Sequence, residues 1–313
     1  MKIALLFSGQ GAQYVGMGKE LYDNYDSAKR VFDKADKVLG ISLKEICFEG
    51  PDTELNKTEN TQPAILTTSI AALKVIEEKG IKYDVVAGLS LGEYSAHVAA
   101  GTINFNDAVT LVKKRGSYMQ EAVPLGIGAM SAVLGMETEA LNACVEESKQ
   151  FGIVEVANYN CPGQIVIAGE KDAVEKCGAL LVEKGAKKVV PLTVSGPFHT
   201  SMMKPASEKL SVELDNIELT QFNTPIISNV NAEYVISSDE VKALLVNQVM
   251  SSVKWEESIR LMIKDGVDTF IEVGPGRALS GFLKKIDRSV NVFNVEDIKS
   301  LDKTIDGLSK LNG

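Results

Sequence analysis

The chain has 313 residues, of which 45% are hydrophobic and 24% are charged, as in an ordinary globular protein large enough for more than one lobe. The net charge of −9 argues against nucleic acid as the main partner, and no apolar run is long enough to cross a membrane. We therefore expect a protein that binds neither nucleic acid nor membranes. The four cysteines form no C-x-x-C pair, so neither a zinc site nor a disulfide framework is indicated: Cys47, Cys144, Cys161 and Cys177.

The first predicted element is a buried strand from Lys2 to Ser8. It is too short for the apolar region of a signal peptide, so we expect a cytoplasmic location. A glycine-rich stretch begins at Gly9, but Tyr14 occupies the position of the third glycine of a dinucleotide-binding fingerprint. A nucleotide-binding function is therefore disfavoured. We interpret the stretch as a loop that presents free backbone N–H groups at the carboxyl end of a sheet.

Two helical regions follow this loop. Apolar residues at helical spacing predict one or two helices over residues 19–39. After a polar loop, Pro63 is predicted to begin another helix, which Gly80 ends.

The most informative stretch runs from Val85 to Ala96. An apolar β-branched run leads into Gly88-x-Ser90-x-Gly92, and an alanine-rich helical pattern continues to about Gly101. This order of strand, sharp turn and helix predicts a nucleophile elbow, with Ser90 at the start of the helix. The two glycines fit because the turn is strained and crowded by neighbouring backbone.

The next helix is predicted to begin at a cap formed by Asn106 and Asp107 and to end near Val123. Arg115 lies on the apolar stripe of this helix and needs an anion to offset the loss of water. An internal ion pair, for example with Glu93 or Glu121, and an anionic ligand both satisfy this need, and the residues alone leave the two alternatives open.

From residue 126 to residue 195 the pattern changes to the order β-α-β-β-α-β, which is that of a ferredoxin-like unit. Strands and helices of the first type resume after it, so this lobe interrupts the larger domain. In the last segment we predict a helix through Leu210, a strand over residues 225–228, a helix over residues 253–265, a strand over residues 269–273 and a final helix through Ile286. Ser237 and Glu240 form a capping box for a further helix.

A serine nucleophile needs a base, and the chain contains only two histidines. His97 is seven residues after Ser90 on the same helix, about 10 Å along its axis, and is not directed at the elbow. His199 lies on the loop that returns to the larger domain and is the better candidate. No acidic residue stands at a diagnostic distance from it in the sequence, so its orienting partner is either a carboxylate or a backbone carbonyl.

Considered together, the motifs resemble those of malonyl-CoA:acyl carrier protein transacylases, in the right order and over nearly the whole chain. One departure is Leu89, where many members have a histidine. The motifs are Gly9-Gln10-Gly11, Thr61-Gln62-Pro63-Ala64, Gly88-Leu89-Ser90-Leu91-Gly92-Glu93, Arg115-Gly116, Asn158-x-Asn160-x-Pro162-Gly163-Gln164, Gly196-Pro197-Phe198-His199-Thr200 and Glu272-x-Gly274-Pro275-Gly276.

The resemblance implies an α/β fold. Residues 1–125 and 196–313 would form a discontinuous α/β-hydrolase-like catalytic domain with a mostly parallel sheet, and residues 126–195 the inserted ferredoxin-like lobe. It also implies malonyl transfer from malonyl-CoA to the phosphopantetheine thiol of acyl carrier protein, in fatty acid or polyketide synthesis. CoA would be a substrate, no cofactor or metal would be required, and we expect a monomer.

The resemblance further implies roles for individual residues. Ser90 would be the nucleophile and His199 its base, oriented by the backbone carbonyl of Gln248. Arg115 would bind the malonyl carboxylate, a group that its planar guanidinium fits. The remaining implied residues are the backbone N–H groups of Gln10 and Leu91 as oxyanion hole, Asn160 as a pocket residue and Phe198 as a residue that favours malonyl over branched acyl groups.

Two rival functions remain open. A thioesterase or esterase would use the same elbow but resolve the acyl-enzyme with water, and a non-catalytic carrier-binding module would keep only the fold. Because carrier proteins are acidic, docking would need basic residues near the cleft, although each candidate could equally be a solvated surface charge. The candidates are Lys187, Lys188, Lys204, Lys284, Lys285 and Arg288.

Overall fold

A computed structural model describes residues 1–194 and 196–312, with the side chain of Asn312 excepted. Its eight strands form two separate four-stranded sheets. The strands are β1 (Ile3–Phe7), β2 (Val85–Gly88), β3 (Gly128–Leu134), β4 (Val154–Cys161), β5 (Gln164–Glu170), β6 (Lys188–Pro191), β7 (Thr269–Val273) and β8 (Asn291–Val295).

Fourteen α-helices lie within the described residues, together with two short 3-10 helices, Lys149–Phe151 and Ser201–Met203. Within the same ranges, no helix combines the length and the apolar character that crossing a membrane requires. The helices are α1 (Lys19–Asn24), α2 (Asp26–Leu39), α3 (Leu43–Glu49), α4 (Asp52–Leu55), α5 (Thr58–Glu78), α6 (Leu91–Ala100), α7 (Phe105–Glu121), α8 (Thr138–Ser148), α9 (Lys171–Glu183), α10 (Lys204–Leu214), α11 (Ser238–Gln248), α12 (Trp255–Lys264), α13 (Ala278–Ile286) and α14 (Ile298–Asn312).

The first sheet is parallel, with the order β2-β1-β7-β8. Strand β1 lies inside the sheet and is buried throughout, and its residues alternate between two cores. Leu5 and Phe7 pack in the core that includes α2, α5, α6 and α7, whereas Ala4 and Leu6 pack in the core that includes α12 and α13. Both faces are therefore covered by helices, as the continuous apolar sequence of β1 requires. We call this sheet with those helices the parallel-sheet lobe.

The second sheet is antiparallel, with the order β4-β5-β3-β6. Alternate residues of β5 again point to opposite faces: Ile165 and Ile167 pack under α8 and α9, whereas Val166 and Ala168 join the core that includes Phe198. We call β3–β6 with α8 and α9 the antiparallel-sheet lobe. The predicted α/β class, with a parallel sheet and a separate β-α-β-β-α-β unit, is confirmed. The residue boundaries of the two domains stay a prediction.

The backbone joins the two lobes at β4. The N–H of Tyr159 donates to the carbonyl of Val253 (2.9 Å), and the N–H of Val253 donates to the carbonyl of Ala157 (2.8 Å). These bonds hold one edge of the antiparallel sheet against the segment that leads into α12.

Two predicted helix starts and one predicted strand were wrong. Helix α5 begins at Thr58, so Pro63 lies in its second turn, where its missing N–H removes only one helical bond while the preceding turn is buried. Helix α7 is capped by Asn104, whose side chain accepts the N–H of Asp107 (3.1 Å), and not by Asn106. Residues 225–228 form two isolated bridges instead of a strand, because the segment meets β2 at Val86 and then turns back.

The predicted end of the chain was also wrong. The helix through Ile286 is not the last element, since β8 extends the parallel sheet beside β7 and α14 follows it. The buried side chains of Leu301 and Leu308 pack α14 against the core.

Candidate active site

The nucleophile elbow lies at the end of β2. Ser90 has φ of 53° and ψ of −105°, a left-handed backbone that turns the chain from the strand into α6. A Cβ on Gly88 would lie 2.0 Å from the backbone of Gly92, and a Cβ on Gly92 would lie 2.1 Å from the carbonyl oxygen of Phe7. Both glycines are therefore required by close backbone approach, and they place the Ser90 side chain at the mouth of the turn.

A hydrogen-bonded chain links Ser90 to His199. The Oγ of Ser90 lies 2.7 Å from Nε2 of His199, and Nδ1 of His199 lies 2.8 Å from the backbone carbonyl oxygen of Gln248. A carbonyl oxygen only accepts, so Nδ1 carries the proton and Nε2 presents its lone pair to the serine hydroxyl. His199 also has a left-handed backbone, with φ of 62°, and its N–H donates to the carbonyl of Val249.

The protonation state of His199 suits a base. Burial lowers the pKa of His199 to about 4, and the positive charge of Arg115 acts in the same direction. The imidazole is therefore neutral near pH 7 and able to accept the serine proton.

The other histidine is not in this chain of contacts. His97 is buried in α6, and in the described ranges neither of its ring nitrogens has a hydrogen-bond partner. Burial lowers its pKa to about 3. The structure therefore brings His199, and not His97, into contact with Ser90.

Arg115 is buried beside the serine. Its Nη2 lies 3.2 Å from Oγ of Ser90 and 3.0 Å from Oε1 of Gln248, and its Nη1 donates to Oε1 of Gln62 (2.9 Å). Across the residues that the structure describes, Arg115 has no carboxylate within salt-bridge distance, and Glu121 pairs with Lys209 instead. An ion pair with Glu93 or Glu121, one of the two alternatives from the sequence, is absent there.

The guanidinium keeps its charge although burial lowers the pKa of Arg115, because a guanidinium stays protonated at any ordinary pH. Its direct hydrogen-bond acceptors are neutral amide and hydroxyl oxygens, and the carboxylate of Glu93 lies beyond the Gln248 amide. A carboxylate on an acyl group attached to Ser90 would give the guanidinium a direct ionic partner.

Two backbone N–H groups are available near Ser90. Gln10 follows β1 in the glycine-rich loop that lines the cavity, and Leu91 is the first residue of α6, where N–H groups have no partner within the helix. Among residues 1–194 and 196–312, neither the Gln10 N–H nor the Leu91 N–H donates to a protein acceptor.

A cavity of about 250 Å³ opens over Ser90 between the two lobes. Asn160 and Phe198, both predicted from the sequence, lie in its wall, and the side-chain oxygen of Asn160 has no partner in the described part of the chain. Leu89, which stands where many members of the resembled family have a histidine, also lines the cavity. Other wall residues from the antiparallel-sheet lobe and its return segment are Met130, Asn158, Val166, Leu192 and Val194, and those from α13 are Ala278, Leu279 and Phe282.

Sequence reasoning missed the side chains that support this arrangement. Asn229 accepts the Ser90 N–H (2.6 Å) and donates to the carbonyl of Gly88 (2.8 Å), so it fixes the turn from both sides. The Gln248 side chain donates to the carbonyl of Ser90 (2.9 Å) and to Glu93 (2.7 Å). The sequence suggested Glu93 only as a motif residue and as a possible ion-pair partner of Arg115, and Asn229 carried no signal in the sequence.

The predicted basic residues for carrier docking are all exposed. Lys285 donates to Gln164 (3.1 Å), and Lys204 lies 3.9 Å from Glu208. Their role stays a prediction. No group of three or more His, Cys, Asp or Glu side chains within the described ranges is placed to hold a metal ion.

Comparison with known proteins gives one consistent result. Residues 4–305 match the acyl transferase domain family. The malonyl CoA-acyl carrier protein transacylase of Bacillus subtilis is 50% identical over 99% of this chain and 98% of its own length.

Solved structures agree with that match. The crystal structure of malonyl CoA-acyl carrier protein transacylase from Clostridium perfringens superposes with a TM-score of 0.97, at 52% identity over 100% of this chain and 98% of the other. A malonyl-transacylase in complex with its type II polyketide synthase acyl-carrier protein gives a TM-score of 0.96, at 41% identity over 98% of this chain and 100% of the other.

Proposed function

The chain belongs to the acyl transferase domain family and is an acyltransferase, and we propose that it transfers malonyl from malonyl-CoA to the phosphopantetheine thiol of an acyl carrier protein. The product would serve fatty acid or polyketide synthesis. One observation supports the proposal: a serine hydroxyl lies between a neutral histidine at 2.7 Å and, at 3.2 Å, an arginine that contacts no carboxylate in the described residues.

In the first half-reaction Oγ of Ser90 attacks the thioester carbonyl while Nε2 of His199 takes the hydroxyl proton. The tetrahedral intermediate then collapses, the carbon–sulfur bond breaks, and His199 returns the proton to the departing CoA sulfur. The products are free CoA and malonyl-Ser90. The Gln248 carbonyl keeps the imidazole in the required tautomer throughout and stabilises the imidazolium that forms.

The developing oxyanion would be stabilised by the N–H groups of Gln10 and Leu91. Both are free of protein acceptors in the described chain, and the Leu91 group belongs to the first turn of α6, where the helix dipole favours negative charge. Each donor of this kind contributes about 10²- to 10³-fold to the rate.

In the second half-reaction the thiol of the carrier's phosphopantetheine enters the same cavity. His199 takes its proton, the sulfur attacks the ester carbonyl of malonyl-Ser90, and the ester bond breaks. The proton returns to Oγ of Ser90, so the enzyme is regenerated without gain or loss of atoms. Transfer to the thiol instead of water is what separates this scheme from a thioesterase.

Arg115 would select the acyl group. Malonyl carries a free carboxylate and acetyl does not, and a charged hydrogen bond is worth about 1.5–3 kcal/mol. That energy corresponds to about 10- to 150-fold in favour of malonyl. Phe198, which lines the cavity next to the base, would limit space for branched acyl groups.

The test is covalent loading. Intact-protein and peptide mass spectrometry after mixing with malonyl-CoA should show one malonyl group, located on Ser90. The Ser90→Ala variant, shown to be folded by circular dichroism, should carry none.

Absence of an adduct from the folded wild-type protein would contradict the scheme. The lifetime of the adduct without carrier separates the two enzymatic outcomes. An ester that persists for minutes and is released by a holo-carrier protein indicates a transferase, whereas rapid loss to buffer would indicate a hydrolase.

A further inference from the structure

Glu93 is a fully buried carboxylate three residues after the nucleophile. Its Oε2 accepts the Gln248 Nε2–H (2.7 Å) and the Asn229 N–H (3.2 Å), while its Oε1 has no partner among the described residues. Nowhere in the described ranges does a cation lie within salt-bridge distance of it. Burying a carboxylate that contacts only neutral groups lowers the stability of the fold, which suggests that Glu93 is kept beside the nucleophile for its function.

Gln248 connects this carboxylate to the catalytic groups. Its backbone carbonyl accepts from His199, its Oε1 accepts from Arg115 (3.0 Å), and its Nε2 donates both to Glu93 and to the carbonyl of Ser90. Gln248 therefore contacts His199, Arg115, the backbone of Ser90 and Glu93.

The opposite charges of Glu93 and Arg115 on its two sides favour one orientation of the Gln248 side-chain amide. Its N–H end faces the negative carboxylate of Glu93 and its oxygen faces the positive guanidinium of Arg115. The reversed amide would place an NH₂ group against Arg115 and an oxygen against Glu93, both repulsive in a site without water. The charge on Glu93 thus favours the orientation in which Oε1 of Gln248 accepts from Arg115.

A second branch from Glu93 leads to the elbow. The Asn229 N–H donates to Glu93, and the side chain of Asn229 accepts the Ser90 N–H at 2.6 Å. This branch supports Ser90 whatever the acyl group, whereas the Gln248 branch also supports the residue that would bind a malonyl carboxylate.

We propose that Glu93 is a positioning residue for the transfer proposed above: its ionised carboxylate orients the Gln248 amide, which holds Arg115 in place for the carboxylate of the acyl group. The inference rests on the proposed function. It adds that the preference for malonyl depends on a residue that need not touch the substrate.

The proposal has a pH signature. Burial raises the pKa of Glu93 to about 7, opposed by the hydrogen bonds from Gln248 and Asn229 and by the charge of Arg115. The charged and titratable groups around it are Arg115 on α7, Tyr94 on its own helix and His199 across Arg115; Gln248, Asn229 and Ser228 are neutral.

Lowering the pH through about 7 protonates Glu93 and removes the charge that orients the amide, while His199, with a pKa of about 4, remains a neutral base. Malonyl loading should therefore fall below about pH 7, well before His199 is protonated. Acetyl loading should fall less, because an acetyl group has no carboxylate for Arg115 to bind.

The experiment compares the loading rates of Ser90 from malonyl-CoA and acetyl-CoA across this pH range in wild type and Glu93→Gln. We expect Glu93→Gln to lower the rate of malonyl loading about 10- to 100-fold and the rate of acetyl loading by a smaller factor. The decrease of malonyl loading below about pH 7 should be absent in this variant.

Glu272→Gln is the matched control. Glu272 is also buried, burial also raises its pKa, and its carboxylate also accepts two N–H groups, those of Leu279 and Ser280. Its variant should lower thermal stability without changing the malonyl-to-acetyl ratio or the pH profile.

A folded Glu93→Gln protein with wild-type malonyl loading, or with equal losses for the two acyl groups, would overturn the inference. If that variant does not fold, the wild-type profile decides: a malonyl-specific decrease near pH 7 supports the inference, and a profile that changes only near pH 4 overturns it. Failure of the proposed function has a different result, since the wild-type protein would then form no malonyl adduct at any pH.

Discussion

The two lobes contribute different kinds of contact to the same cavity. The described side chains that hydrogen-bond to Oγ of Ser90, His199 and Arg115, both lie outside the antiparallel sheet. That sheet supplies wall residues such as Met130 and Asn160, which in the described structure make no hydrogen bond to Ser90. The parallel-sheet lobe and the loop that carries His199 therefore supply the groups for the chemistry, whereas the antiparallel sheet supplies part of the cavity wall.

The two kinds of contact differ in how much displacement they tolerate. A proton transfer depends on donor and acceptor at hydrogen-bond distance, so displacement by an ångström costs orders of magnitude in rate. A cavity wall acts through contact and shape, whose loss mainly weakens binding. Variants in the parallel-sheet lobe and its return loop should lower kcat, and variants in the antiparallel sheet should raise KM.

The largest effect is expected at the base. His199→Ala leaves the Ser90 hydroxyl without a proton acceptor and should lower the rate of malonyl loading by about 10²- to 10⁴-fold, measured by rapid quench and mass spectrometry.

His97→Leu is the matched control for His199→Ala, because His97 is buried without contact to the site. It should keep the wild-type loading rate. Since burial lowers the pKa of His97 to about 3, the folded state loses stability as the pH falls below about 6.5, and the leucine variant should lose less in acid. A large loss of loading in His97→Leu would break the contrast between the two histidines.

The next effect concerns selectivity. Arg115→Ala removes the guanidinium that lies 3.2 Å from Oγ of Ser90, and malonyl loading should fall about 10- to 150-fold relative to acetyl loading. Parallel time courses with the two acyl-CoA donors measure the ratio.

Arg115→Lys sharpens this test, because it keeps the charge without the planar fork. It should recover part of the preference for malonyl. Equal losses for malonyl and acetyl in Arg115→Ala would assign Arg115 a structural role only.

The smallest effect is expected in the antiparallel sheet. Asn160→Ala removes a cavity-facing amide whose oxygen has no protein partner in the described residues. It should raise KM for malonyl-CoA about 2- to 10-fold, change kcat little and leave the melting temperature unchanged, as steady-state kinetics and a thermal scan would show. A fall in kcat with KM unchanged would remove the distinction between the lobes.

Local motifs in the sequence predicted local structure well. The glycines around Ser90 and the capping box of Ser237 and Glu240 act within a few residues, and both occur in the structure. Strand β8 was missed although Phe293 and Val295 alternate as in a strand, because asparagines interrupt the run and the strand lies at the sheet edge, where burial is partial. Pro63 was misleading because the burial of the turn before it outweighs one missing hydrogen bond.

The support of the site could not be predicted in this way. Glu93 and Asn229 are 136 residues apart, and Gln248 is 158 residues from Ser90. No spacing or period encodes such contacts, because they exist only after the chain has folded. The family resemblance pointed to Gln248 for its backbone carbonyl, whereas the function that its side chain serves became visible only in three dimensions.

The backbone angles of Ser90 and His199 have a consequence for how such an enzyme would fail. The left-handed backbone of each residue costs about 1–3 kcal/mol of conformational energy, and it persists only while the surrounding packing holds it in place. Gentle warming that loosens either loop would let the two residues relax apart while most helices and strands persist. Inactivation should then precede melting, so that lost turnover would report the first loosening of this protein.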